Sequence, residues 1–166
     1  MLPRNIDNPG ASPPSWWEEL GFGAPTIAAF ARLCADALQR GVTDKIDPND
    51  EKGWNLSVEA KTILWLSRAR GTFEIRANKD GFDSAERFLA VAVELEVDRW
   101  RVLLDKQSPE QTVRFLDGFR ELCARGLLLH HLQREFSLSA RGFELSKELE
   151  SEPSESLASF GLVIEL

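Results

Sequence analysis

The chain has 166 residues, is 43% hydrophobic and 28% charged, and carries a formal charge of -7. That composition supplies enough apolar material for one ordinary core and argues against global disorder. A uniformly acidic surface would repel nucleic acid or an anionic membrane, but here the excess acid sits at the two ends and the middle is balanced.

The N-terminus, MLPRNIDNPGASPP, has no apolar run and does not read as a secretory signal. No window approaches the roughly 18 apolar residues of a membrane span. The expectation is a cytoplasmic protein with no membrane contact. Cys34 and Cys123 each fall on the apolar stripe of an expected helix, so both read as small buried hydrophobes rather than a disulfide or metal pair.

Residues 1–24 are rich in proline, glycine and serine and read as an extended arm. Within it, Trp16 and Trp17 are adjacent, and such a pair is expected to dock on the domain or on a partner. Residues 25–40 predict a helix, with Pro25 in its first turn, apolar residues at helical spacing and Gly41 as the stop. A polar loop follows. Ser57 can cap a second helix through about Arg70, and Ile63, Leu64, Trp65 and Leu66 give it a broad apolar face, as in a buried helix. Gly71 ends it.

The period then changes to two. Phe73 and Ile75 share one face of a strand, and Asn78-Lys79-Asp80-Gly81 marks a turn. Alternation predicts further strands at 87–96 and 99–104. A helix over 84–97 competes through its alanines and glutamates, but the valines favour a strand. The Val97-Asp98-Arg99 turn has no glycine or asparagine.

Ser108-Pro109-Glu110-Gln111 has capping-box spacing. The helix it opens buries Thr112, Phe115, Leu116, Phe119, Leu122 and Cys123, and stops at Gly126. Two short strands follow, at Leu127-Leu128-Leu129 and Glu135–Leu138. Ser139 caps a last helix to about Glu150. The segment 151–166 is an acidic tail, and its apolar end, Phe160–Ile164, could add an edge strand or stay loose.

Leu122 through Gly126-Leu127, then Phe136-Ser137-Leu138-Ser139-Ala140-Arg141-Gly142-Phe143-Glu144-Leu145, resembles the C-terminal half of a winged-helix domain. The resemblance covers 108–149. It implies a DNA-binding regulator whose phosphate contacts would be Arg114, Arg120, Arg125, Arg134 and Arg141. The sequence departs from that pattern in its very short wing and in the β structure ahead of the helix. Acids also interleave with the arginines, which disfavours DNA as a partner.

Other clusters read as structure. His130 and His131 point to opposite faces of a strand and cannot easily share a metal ion. Asp44, Asp47, Asn49, Asp50 and Glu51 lack calcium-loop spacing. Glu94 and Glu96 could pair on one strand face, but beside Ala90 and Ala92 they read as an exposed face. Arg68, Arg70, Arg76, Arg99 and Arg101 could gather around Trp100.

The sequence therefore predicts one α+β domain over 25–150: two N-terminal helices, a small antiparallel sheet and a winged-helix-like helix–hairpin–helix. No catalytic residue, metal ligand or cofactor is expected. The expected role is a non-catalytic binding or regulatory module acting through a protein partner or self-association, with Trp16, Trp17, Phe160 and Val163 as the candidate contacts. The alternatives are the winged-helix-like DNA regulator and an enzyme whose site is invisible in one sequence.

Overall fold

The computed structural model describes residues 55–77, 89–131, 134–149 and 152–165, and Arg32 before them. Apart from Arg32, the expected 1–24 arm with Trp16 and Trp17, the 25–40 helix with Cys34, the acidic loop at 44–51 and the turn at 78–81 lie outside these residues.

Helix α1 spans Val58–Ser67, and Ser57 caps it by accepting a hydrogen bond from the Ala60 amide at 3.2 Å. Ala60, Ile63, Leu64 and Leu66 are all buried, as the broad apolar face requires. Gly71, at φ +68°, turns the chain into the first strand, and the Phe143 ring fills the place a side chain there would need.

Strand β1 (Thr72–Ala77) pairs antiparallel with β2 (Leu89–Glu96), aligning Phe73 with Val93 and Ile75 with Val91. The valine pattern thus makes a strand, not a helix. β2 turns back into β3 (Arg99–Val102) through Val97-Asp98, with Asp98 at φ +61°. Aspartate is one of the few side chains that tolerates the left-handed conformation, so this turn needs no glycine.

Helix α2 spans Pro109–Ala124. The capping box expected at its start does not form, because Ser108 makes no side-chain cap bond. The Thr112 hydroxyl instead accepts from the Asp105 amide at 3.1 Å and fixes the entry, while Gln111 reaches across to the Glu59 carboxylate at 3.2 Å. A bond to a neighbouring helix replaces the local one. Gly126, at φ +68°, ends the helix turn. β4 (Leu128–His130) and β5 (Glu135–Leu138) form a hairpin, and β5 pairs with β1. Helix α3 (Ala140–Glu148) is capped by Ser139, whose hydroxyl accepts from the Gly142 amide at 3.1 Å.

Residues 152–165, read from sequence as tail, carry a short helix α4 (Glu155–Ala158) and a sixth strand β6 (Leu162–Glu165), which pairs with β3. The result is a mixed α+β fold with an antiparallel sheet in the order β4-β5-β1-β2-β3-β6. One sheet face carries Phe73, Ile75, Val91, Val93, Phe136 and Leu138 into a core shared with α1, α2 and α3. Phe119 of α2 sits edge-on to both Phe73 and Phe136, at ring separations of 5.9 and 5.1 Å.

α1 and α2 cross closely. Ser57 donates to the Glu121 carboxylate from both its amide and its hydroxyl, at 3.1 and 2.7 Å. At the crossing, a Cβ on Gly118 would lie 2.8 Å from the Ala60 backbone nitrogen. In an exposed helix, Gly→Ala stabilises by about 1 kcal/mol. Gly118→Ala is expected to do the reverse and cost about 1–3 kcal/mol, because backbone must move to admit the methyl group. Its urea midpoint should fall below wild type, and a midpoint at or above wild type would show that the crossing has slack.

Candidate binding surface beside strand β6

Alternation along β1, β2 and β3 sends Glu74, Arg76, Ala90, Ala92, Glu94 and Trp100 to the sheet face opposite the helices. The alanines and Glu94 were expected to mark an exposed surface. They are buried, Ala90 and Ala92 almost completely. Register gives the reason: Ala90 lies opposite Arg76, and Ala92 lies between Glu74 and Val102. Small side chains between long ones are covered by them.

The polar groups of that face pair with one another. Arg76 Nε donates to Glu74 Oε2 at 3.2 Å, Arg134 Nε lies 3.8 Å from the same oxygen, and the Arg76 guanidinium sits 4.9 Å from the Trp100 ring centre. Arg70 holds Glu94 at 3.3 Å. Burial drives the Arg76 guanidinium down to about 10, with Glu74 opposing the shift. Burial likewise raises the Glu74 carboxyl, although Arg76 and Arg134 pull the other way. Desolvation therefore outweighs attraction at Glu74.

The five arginines expected to gather around Trp100 are divided between the two sides of the sheet. Arg76 and Arg70 belong to this ionic face. Arg68 and Arg101 line a groove of about 820 Å³ on the helix side, walled by the end of α1, the outer ends of β2 and β3, and the α4 segment. A β-bulge between Glu94 and Glu96 separates the two carboxylates, so Glu94 meets Arg70 and Glu96 meets Arg99. They do not form the pair that alternation allowed.

In the groove, the Arg68 guanidinium stacks on Trp65 at 4.1 Å from the ring centre. Arg101 pairs in register with Val93 and Val163, which sets it on the core side of β3. Its Nε is buried and finds no hydrogen-bond acceptor among the described residues. Burial lowers the Arg101 guanidinium, and Arg99 adds to the shift. Leu66, Leu95, Pro153 and Ala158 supply apolar wall, and Glu96, Glu152 and Glu155 supply carboxylates.

Next to the groove, β6 is the outermost strand among the described residues. Val163 is 42% exposed and Leu162 is 59% exposed. The other expected contact in this segment, Phe160, is turned inward and stacks on Phe115 with ring centres 5.0 Å apart. Trp16 and Trp17 lie outside the described residues.

Of the arginines expected to meet DNA phosphates, Arg114, Arg120 and Arg125 each pair with an acid on their own helix, Glu110, Asp117 and Glu121. Arg134 is drawn to Glu74, and Arg141 is half-buried on α3. His130 packs its ring 4.7 Å from Phe136, while His131 Nε2 and Ser137 Oγ share a hydrogen bond of 2.7 Å. Among the described residues, no group of three His, Cys, Asp or Glu side chains could hold a metal ion. Cys123 lies in the core.

The Glu74 carboxyl has a pH signature. Its ordinary value is 4.5 and its folded value is higher. The stability linked to its protonation is present below 4.5 and is lost as pH rises through the folded value. Glu74→Gln should abolish that slope in urea denaturation across mildly acidic pH. At pH 7 it should cost about 3 kcal/mol, because the buried Arg76 guanidinium loses its counter-charge. An unchanged slope would refute the raised Glu74 value, and no loss at pH 7 would show that Arg76 does not depend on the Glu74 charge.

No protein-family model, curated protein or solved structure matches this chain, so what its surfaces bind has to be read from its own residues.

Proposed function

We propose that the chain is a non-catalytic binding module acting through protein–protein contact, with the open edge of β6 as its contact surface. The observation that carries this reading is the apolar edge Leu162-Val163-Ile164, with Leu162 and Val163 exposed, which among the described residues pairs with β3 alone. A sheet edge presents unpaired backbone donors and acceptors, and proteins usually block it with lysine, proline or a very short strand. β4 at the opposite edge has three residues. β6 has no lysine or proline, and its four residues include three large hydrophobics. Such an edge suits the addition of a partner strand, in which backbone bonds give affinity and alternate side chains give selectivity.

A second copy of this chain has the matching pattern. Antiparallel pairing of β6 with β6 about Val163 sets Val163 on Val163 and Leu162 on Ile164 of the second copy, apolar against apolar on both faces. A four-residue edge buries far less than the roughly 800 Å² per partner of a standard interface. The dimer is therefore expected to be weak, with a dissociation constant between about 1 μM and about 1 mM.

Sedimentation equilibrium over a wide concentration range tests this. Wild type should show a reversible monomer–dimer equilibrium. Val163→Lys places a charge at the centre of the pairing and should give a monomer with an unchanged circular dichroism spectrum. Wild type that stays monomeric at about 1 mM, a thousandfold above the tightest value expected, would reject self-pairing of β6.

A further inference from the structure

Most of the described arginines are ion-paired, whereas Arg68 and Arg101, like Arg32 and Arg141, are not paired with any described residue. Arg70, Arg76, Arg99, Arg114, Arg120, Arg125 and Arg134 each lie within 4.0 Å of a carboxylate oxygen. Neither Arg68 nor Arg101 has an ion-pair partner among the described residues, in a chain with 27 acidic and 20 basic side chains. Both line the same groove. Arg68 is held over Trp65, and Arg101 has a buried Nε–H without an acceptor. A buried donor normally has an acceptor, so the position calls for one.

The rest of the wall narrows the chemistry. Glu96, Glu152 and Glu155 also line the groove, and Glu96 is engaged by Arg99. Neither Glu152 nor Glu155 lies within ion-pair distance of Arg68 or Arg101. These carboxylates would repel a polyanion. Two arginines beside three carboxylates suit a ligand with a single negative charge, and Leu66, Leu95, Pro153 and Ala158 suit a hydrophobic body. A volume of about 820 Å³ suits a small organic molecule.

We propose that this groove binds a small carboxylic acid with an apolar body, its carboxylate received by Arg68 and Arg101 and its body lying along Trp65 and Leu95. The planar guanidinium of Arg101 offers parallel N–H donors to the two carboxylate oxygens, and Arg68 closes on the ligand from the α1 side. The site is independent of β6 self-pairing, which uses backbone groups on the far side of β6.

The test is a titration of the full chain at constant ionic strength, observed by ¹⁵N NMR of the arginine Nε–H and tryptophan indole groups. The probes are 4-phenylbutyrate, as an apolar monoanion, and pyrophosphate, as a polyanion. 4-Phenylbutyrate should shift the Arg101 Nε–H and Trp65 indole resonances saturably, with a dissociation constant below about 5 mM for a ligand of this size. Pyrophosphate should bind more weakly. Arg68→Gln changes an exposed residue without an ion pair and leaves the fold intact, and it should weaken 4-phenylbutyrate binding about tenfold, as should Arg101→Gln. Three results would each overturn the proposal: no saturable shift up to about 50 mM, tenfold beyond the expected constant; the same affinity in Arg68→Gln and Arg101→Gln as in wild type; or tighter binding of pyrophosphate.

Discussion

β2 is buried on both faces, and the other elements are arranged around that fact. A strand with no solvent side needs apolar cover on one face and something compatible with its neighbours on the other. On the first face the cover is α1 and α2, whose aromatic and aliphatic side chains meet Val91 and Val93. On the second, two alanines leave room for the long side chains of Glu74, Arg76 and Trp100 to lie across the strand. Larger residues in place of Ala90 and Ala92 would lift those side chains off the sheet. The small residues of β2 therefore leave room for the ionic face, where Arg76 reaches over the strand to the Trp100 ring while pairing with Glu74 along β1.

The same strand separates two electrostatic environments. On the ionic face, arginines and glutamates are matched, and their energetics are set by lost hydration. On the helix side, Arg68 and Arg101 have no such match among the described residues and are steadied by an aromatic ring and by packing. Paired charges hold a structure in one arrangement. Unmatched charges beside apolar wall leave binding capacity. The bulge at Glu94/Glu96 makes the division sharp, because it hands one carboxylate to each environment.

Much of the fold was legible in the sequence. Helical spacing and Ser57 located α1, the valines located β2, and the two glycines at 71 and 126 located the stops. These signals are local, and local physics settles them. Three features were not legible. The Ser108 capping box looked complete, yet Gln111 found a partner 52 residues away in α1, a competitor that no local pattern announces. Ala90, Ala92 and Glu94 looked exposed because period-two reasoning assigns the polar side of a strand to solvent, whereas the side chains of β1 and β3 cover it. The groove was invisible because Trp65, Arg101 and Glu155 meet only after the chain has returned through β3 and α4. Arginine positions could be read along the chain, but which arginines lack a carboxylate depends on register and on a bulge. Of the surface contacts, Val163 could be marked from its place in an apolar run, but nothing in that run says that Phe160 turns inward to Phe115.

The strand order has a further consequence, for how the sheet comes together and how its margins are held. β1, β2 and β3 are consecutive in the chain and adjacent in the sheet, separated by eleven residues and by two, so they pair at small sequence separations. β5 and β6 join only after the chain has made the long excursion through α2, and they attach to opposite margins. The two margins share no strand. Each is tied to the same helix, β5 through Phe136 on Phe119 and the β6 side through Phe160 on Phe115. Helix α2 thus acts as a clasp across the sheet, holding the β4–β5 hairpin at one margin and β6 with the wall of the groove at the other.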